Sequence, residues 1–301
     1  MKKEMILGFL VIFLSLSVSA LAFQSEDAKK DTSDSGFFSE WSEFYGIRTL
    51  SKSEKSPSLD FYWGILQPTF KFQNYQDSFS KIGDLSLKIG YSRISTKEFI
   101  VKYTNESVLF QVFSSKYNPS FEKNQSKIEL NGWRVGLENS SGYGYEFSEN
   151  FKLLLYNSNA LIWSRIEFID SSFMNDPLHI FDTYNKSIRF GDKFEAGIKI
   201  KLFKPIGISA AYERSIIFPR HLFWYWLGSE AIEAVGQSLV DGFVKSVIKT
   251  NSISAPIVAF VLRNGLSYVL YELRSEKMNW PFDTTVPLHF QSFKLGLSFM
   301  F

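Results

Sequence analysis

The amino-acid sequence predicts an all-β transmembrane protein. The expected fold is an antiparallel up-and-down β-barrel of about ten to twelve strands, with a helical pair inserted before the last strand. Three observations lead to this prediction. The chain ends in a strand with one continuous apolar face. Many further segments alternate apolar and polar residues, as strands do when successive side chains point to opposite faces. One segment near the C-terminus changes to the spacing of helices.

The final strand carries the clearest signal. Every second residue is large and apolar, while the residues between are small, charged or less bulky. In water this face would need a core, whereas in a bilayer the lipid covers it, and alternating strands of about ten residues are typical of membrane barrels. The apolar positions are Phe293, Leu295, Leu297, Phe299 and Phe301.

The N-terminal region predicts export. A pair of lysines precedes the uncharged apolar run Ile6–Val18, and Ala20-Leu21-Ala22 fits a small-residue cleavage site. The apolar run is short for a membrane-spanning helix. The predicted organisation is a signal peptide (1–22), a periplasmic leader with room for a first strand (23–58) and a barrel (59–301).

Composition agrees with a barrel. Aromatic residues make up 17% of the chain, with 31 Phe and 14 Tyr, and membrane barrels need aromatics for lipid-facing bands and interfacial girdles. A mean hydropathy of −0.07 is too polar for a helical membrane protein. The net charge of +2 gives no argument for a nucleic-acid partner. The absence of cysteine excludes disulfides and thiolate chemistry.

Strand patterns repeat between residues 59 and 218. Two polar stretches, Asn105-Glu106 and Asn139–Gly142, resemble tight turns, and each divides a long alternating run into two strands. Trp41–Leu50 is a further candidate for the first strand. The count is therefore ten to twelve, and bacterial barrels prefer an even number of strands. Twelve is slightly favoured, because the longer connections near Tyr117–Gln125 and Ser171–Lys186 then both lie outside, as long loops should.

The segment 229–277 has helical periodicity. Gly228-Ser229 is a suitable start for a first helix, and Pro256 suits the first turn of a second. A competing interpretation makes Asn264-Gly265 a hairpin turn between two strands. The first apolar series, at three- and four-residue spacing, is Ile232, Val235, Leu239, Phe243 and Val247.

Parity places the helical pair outside the cell. If Phe301 ends in the periplasm, the connection before the last strand lies on the opposite side of the membrane. The pair is then expected to cap the barrel or to enter its mouth as a plug.

Charged residues opposite the apolar strand faces predict the lining of the lumen. They carry both signs, which fits either a selectivity lining or ligand site or a salt-bridged filling of a narrow interior. The ten candidates are Lys88, Lys102, Arg134, Arg165, Glu167, Glu195, Lys199, Lys201, Glu213 and Lys294.

Signals for catalysis are weak. The histidines, His179, His221 and His289, lie outside clear strands, and the sequence contains none of the common nucleophile, zinc, phosphate-loop or calcium motifs. The prediction is therefore no enzyme, no metal and no cofactor. The aromatic run Phe223–Trp226 fits an interfacial girdle or cap packing, with sugar stacking as the alternative.

Together these features resemble bacterial outer-membrane β-barrel proteins as a class, over most of 59–218 and 286–301. A terminal Phe such as Phe301 is typical of their C-terminal targeting strand. The resemblance implies location in the bacterial outer membrane after export through the inner membrane. It also implies contact with outer-membrane lipid and recognition of the last strand by the barrel-assembly machinery. It brings no specific family and no binding residues with it.

Three functions stay open. The main interpretation is a narrow channel or transporter for small or apolar solutes, gated or plugged by the helical pair. The alternative is a surface-exposed binding or structural protein without transport activity, and the third is an outer-membrane enzyme. The sequence does not identify a solute.

Overall fold

The chain forms a closed antiparallel β-barrel of eight strands in a computed structural model that describes residues 55–71, 79–117, 128–169 and 180–301. Each strand pairs with its neighbours in sequence, and the last strand closes the barrel onto the first. The strands are β1 (Ser56–Phe70), β2 (Ile82–Lys97), β3 (Ile100–Ser114), β4 (Glu129–Glu146), β5 (Lys152–Ile169), β6 (Ile188–Phe203), β7 (Ile206–Ile217) and β8 (Leu288–Met300).

Helices occupy the connections. The described helices are α1 (Ile180–Tyr184), between β5 and β6, α2 (Phe223–Thr250) and α3 (Ala255–Glu276), both between β7 and β8, and a one-turn 3-10 helix (Ser115–Tyr117). The predicted helical pair is thus confirmed, with Pro256 in the first turn of α3. The hairpin alternative is wrong, because Asn264-Gly265 lies inside α3. None of the described helices is both long and apolar enough to cross a membrane.

The first helix starts earlier than the sequence suggested. Its first residue is Phe223, so Gly228-Ser229 lies within α2 rather than at its start. Ser229 instead turns its hydroxyl toward α3, where it accepts a hydrogen bond from Arg274 at 3.0 Å.

The barrel has eight strands, not ten to twelve. Both predicted turns are continuous strand, because Asn105-Glu106 lies within β3 and Asn139–Gly142 within β4. Asn105 belongs there because its side chain accepts a hydrogen bond from Ser58 at 2.9 Å inside the barrel. The candidate strand Trp41–Leu50 lies outside the described residues.

The two ends of the barrel differ. Short turns join β2 to β3, β4 to β5 and β6 to β7 at one end, which we call the turn end. Phe301 lies there too, and its amide donates to the carbonyl of Pro57 at 3.1 Å. The longer connections and the start of the α2–α3 hairpin lie at the other end, the loop end.

Contacts between distant strands identify the lumen face. Lys88 on β2 contacts Glu195 on β6, and Asp60 on β1 contacts Lys199 on β6. Strands that are not neighbours in a closed barrel can touch only across its inside. The residues one position away on each strand therefore belong to the outer face, since side chains alternate.

The outer face carries an apolar belt. Phe61, Leu87, Phe110 and Val135 follow one another in register across four strands. Large apolar side chains of the belt that stay exposed are Phe61, Trp63, Ile65, Leu85, Ile89, Val108, Phe110, Val112, Trp133, Leu137, Phe293, Leu295 and Leu297.

Candidate functional site

A network of buried charges fills the middle of the lumen. Glu138 and Glu195 each contact both Lys88 and Lys193, at 2.5 to 3.0 Å. All four side chains are at most 3% exposed. Because the two cations and two carboxylates balance, each charge has an opposite partner on two sides.

Glu213 forms a second centre toward the loop end. Its carboxylate lies 2.5 Å from Lys294, 3.0 Å from Arg134 and 3.7 Å from Lys193, so it joins this centre to the first. The Arg134 guanidinium also packs 5.1 Å over the ring of Phe290. Asp84 lies 3.6 Å from Lys294 as a second carboxylate of this centre.

The network continues toward the turn end. Lys199 donates to both carboxylate oxygens of Asp60 at 3.0 Å, and to the hydroxyl of Tyr103 at 3.2 Å. The hydroxyl of Tyr156 donates to Glu195 at 3.0 Å, which connects this layer to the first.

Apolar clusters lie near both ends of the lumen. At the loop end, α1 places Phe181 5.9 Å from the ring of Phe70 and 5.3 Å from that of Phe168. The buried members of this cluster are Leu66, Phe70, Phe79, Ile82, Phe113, Ile128, Leu130, Ile166, Phe168, Phe181, Tyr184, Ile217, Leu288 and Phe290. The smaller cluster near the turn end contains Val101, Tyr103, Leu154, Tyr156 and Met300.

Most of the predicted lumen residues lie on the lumen face, and three do not. Lys102, Arg165 and Glu167 are exposed on the outer face, and Glu167 pairs with Lys186 at 3.1 Å. Those that lie inside are Lys88, Arg134, Glu195, Lys199, Lys201, Glu213 and Lys294.

The three exceptions share a physical reason. Each lies near an end of its strand, where the apolar clusters turn their residues inward. Val101 and Tyr103 flank Lys102 and fill the turn end, while Ile166 and Phe168 fill the loop end. Beyond the belt, the apolar residues of a strand therefore face the lumen and the polar ones face outward. An interpretation that places all apolar residues on the outside assigns these three positions to the wrong face.

Sequence reasoning also missed partners of the network. Asp60 lies in the alternating run of β1, so its position opposite Phe61 was a usable signal. Glu138 was obscured by the supposed turn that follows it. Lys193 was missed because the alternating apolar pattern of this strand starts at Phe194, one residue later.

The five apolar residues of the last strand all belong to the outer face. Phe293, Leu295, Leu297 and Phe301 are exposed, and Phe299 is half-buried. Their role as an assembly signal stays a prediction.

The hairpin packs on the outer wall of the barrel, not in its lumen. Arg263 donates to the Ser141 hydroxyl at 3.2 Å, and the Tyr145 hydroxyl donates to the carbonyl of Ile253 at 2.6 Å. Ser141 and Tyr145 lie on the opposite face of β4 from the lumen residue Ser140. The pair neither enters the barrel mouth as a plug nor covers it as a cap, so both expectations are wrong.

A buried ionic cluster lies between the hairpin and the wall. Arg274 of α3 lies 2.8 Å from Glu230 and 2.9 Å from Glu233, both on α2. Its guanidinium packs 5.8 Å over Phe194 on the outer face of β6. Two positions before Phe194, Asp192 accepts from the Trp226 indole of α2 at 3.2 Å. The hairpin is thus held by these polar contacts together with apolar ones, since Trp226 and Tyr271 also pack with Ile216 of β7.

The two described histidines make separate contacts. His221 stacks against Phe190 at 5.0 Å, and His289 lies buried under the hairpin with Nε2 3.3 Å from the Ser275 carbonyl. His179 lies outside the described residues. Within the described ranges no group of His, Asp and Glu side chains is placed to hold a metal ion.

A closed antiparallel barrel of eight strands with an apolar outer belt has the architecture of the smallest transmembrane β-barrels. No protein-family model matches the chain, and no curated protein sequence matches it.

Similar solved structures include Neisserial surface protein A (NspA), at 8% identity and a TM-score of 0.37, covering 81% of this chain and 97% of that one. They also include Ail, the attachment invasion locus protein of Yersinia pestis, at 10% identity and a TM-score of 0.30, covering 83% of this chain and 100% of that one. These scores are too low for either structure to assign a function to this chain.

Proposed function

We propose that this protein is an integral β-barrel of the bacterial outer membrane that serves as a closed scaffold rather than an open channel. The observation that carries the proposal is the combination of an apolar belt outside with paired, buried charges inside. The chain would reach this membrane by export through the inner membrane, as residues 1–22 predict.

The belt supports a membrane location. Phe61, Trp63, Phe110 and Phe293 each leave close to half of their surface exposed, at 45 to 57%. A soluble protein seldom exposes so large a continuous apolar patch, whereas lipid covers it at no cost. A closed barrel also pairs its backbone groups between strands, which a membrane interior requires.

The filled lumen supports a scaffold. A narrow channel for small or apolar solutes needs a continuous passage, but the charges centred on Glu213 and Glu195 contact one another across the barrel. The aromatic cluster around Phe181 then covers the loop end. A gate formed by the hairpin would need helices in the lumen, and the described helices α2 and α3 pack outside it.

Conductance measurements test the proposal. Purified protein should float with lipid vesicles, migrate differently on detergent gels when boiled and unboiled, and give no unitary current steps in planar bilayers. Recovery as a soluble protein without detergent would contradict the membrane location. Stable current steps from protein with verified insertion would instead favour the narrow channel or transporter.

Deletion of Phe301 should lower the amount of protein in the outer membrane. Phe301 is 68% exposed at the turn end, so its loss removes little packing. By the resemblance stated above, it is part of the signal that the barrel-assembly machinery reads. Immunoblots of outer-membrane fractions should show low levels together with periplasmic degradation.

The matched control for this deletion is Phe203→Ala, which removes another exposed aromatic, 51% exposed, at the same end. Its outer-membrane level should stay near that of the wild type. Equal levels for both variants would refute a specific role of the terminal residue.

A further inference from the structure

The hairpin turns one apolar face away from the barrel, although other apolar residues, such as Trp226 and Tyr271, pack against the wall. Ile232 and Val235 on α2 are 41% and 55% exposed, and Ile257 and Val261 on α3 are both 55% exposed. A helix pair docked on a protein in water does the opposite, because its apolar stripe faces the core. Many polar residues of the hairpin are buried beside its buried apolar residues, namely Ser229, Glu230, Glu233, Gln237, Ser267, Arg274 and Ser275.

Part of the wall beneath the hairpin is polar, beside apolar wall residues such as Ile216 and Phe190. Asn139 and Ser141 on β4 pair in register with Asn159 and Asn157 on β5, and all four belong to the outer face. They lie in the middle of their strands, where apolar residues such as Leu137 come before and after them on the same outer face. Amides at such positions are unfavourable against lipid. Here they are half-buried, and Arg263 of α3 donates to Ser141.

The hairpin also matches the height of a bilayer. Helix α2 has 28 residues, about 42 Å at a rise of 1.5 Å per residue, while a bilayer with its headgroups is about 40–45 Å thick. Exposed Trp224 and Tyr225 lie at its start near the loop end, and exposed Lys245 and Lys249 lie near its tip. Aromatic and basic residues at the two ends are typical of interfacial anchoring.

We propose that the α2–α3 hairpin lies within the outer membrane, against the barrel wall, with its exposed face in contact with lipid acyl chains. The inference rests on the proposed membrane location of the barrel. The exposed face continues the apolar belt around the part of the wall that is polar. Charged residues toward the middle of the hairpin have internal partners, since Asp241 pairs with Arg263 at 2.7 Å and Arg274 with both glutamates of α2.

Single cysteines provide a direct test, because the chain has no natural cysteine. Val235→Cys and Val261→Cys would report on the hairpin, Phe110→Cys on the belt and Lys116→Cys on the aqueous loop end. Each variant is labelled with an NBD fluorophore and reconstituted into phosphatidylcholine vesicles with or without nitroxide groups on the acyl chains. The hairpin labels should lose most of their fluorescence, as the Phe110→Cys label does, while the Lys116→Cys label keeps it.

The other outcomes separate the two proposals. Quenching at Phe110→Cys alone would overturn the intramembrane hairpin and leave the membrane barrel intact. An absence of quenching at all positions would overturn the membrane location itself. If the hairpin labels resist quenching and a bifunctional maleimide joins Val235→Cys between two molecules, the face is covered by a second copy, which also overturns contact with lipid.

Discussion

Replacing Glu213 with Gln should lower the free energy of unfolding of the barrel by about 3–5 kcal/mol, the usual effect of removing one partner of a buried ion pair. The Glu213 side chain is 1% exposed and contacts Arg134, Lys193 and Lys294. A neutral amide removes the carboxylate that Arg134 contacts and leaves Lys294 with Asp84 at 3.6 Å, while Lys193 keeps Glu138 and Glu195. Denaturant unfolding in vesicles, followed by tryptophan fluorescence, measures the loss.

The control is Glu106→Gln. Glu106 pairs with Lys55 at 3.0 Å, but both side chains are 40% exposed, so we expect a change of about 0–1 kcal/mol. If the two variants lose the same stability, water must solvate the cations around Glu213. The lumen would then be wet, and a narrow channel would become the better function.

Features that depend on local alternation were predictable from the sequence. The outward residues of the last strand, from Phe293 to Phe301, follow directly from period-two spacing and a lipid-facing surface. The helical pair was also predictable, because the apolar positions from Ile232 onward change to a period near 3.6. Each of these two patterns is formed by residues that are close together in the sequence. Neither pattern depends on a partner that is distant in the chain.

The strand number depended on contacts that are remote in sequence. Asn105 looks like a turn residue until Ser58, which lies on a different strand, contacts it across the lumen. Asn139 and Ser141 also resemble turn residues, but Ser141 accepts a hydrogen bond from Arg263, which lies on a helix more than a hundred positions later. A polar residue between two alternating apolar segments therefore has two interpretations in a single sequence. It fits a turn, and it fits equally well a strand residue whose side chain has a polar partner elsewhere in the chain.

The side on which the hairpin docks could not be predicted for a different reason. Periodicity defines an apolar stripe on α2, but the stripe faces protein in water and faces away from it in lipid. Spacing alone would assign Glu230 and Glu233 to a water-exposed polar face, although both are buried. Their partner Arg274 lies on the other helix, so spacing alone gives no pairing.

Replacing Arg274 with Met should release the hairpin from the wall. Arg274 is 1% exposed and compensates Glu230 and Glu233, so its loss leaves both carboxylates buried next to Asp192. We expect docking to weaken by about 3–5 kcal/mol, the range for an uncompensated buried charge. Hydrogen exchange in α3 and protease cleavage of the hairpin should accelerate, while the barrel keeps its heat-modifiable migration.

Two further variants decide whether charge is the cause. Arg220→Met removes an exposed arginine close to the start of α2 and should leave exchange unchanged. Adding Glu230→Gln and Glu233→Gln to Arg274→Met removes the arginine together with its two glutamate partners, and such a replacement is often nearly neutral when the volume is kept. The triple variant should therefore recover much of the protection lost by the single variant. If it is less protected than Arg274→Met, the arginine acts through its packing on Phe194, and the polar cluster does not hold the hairpin.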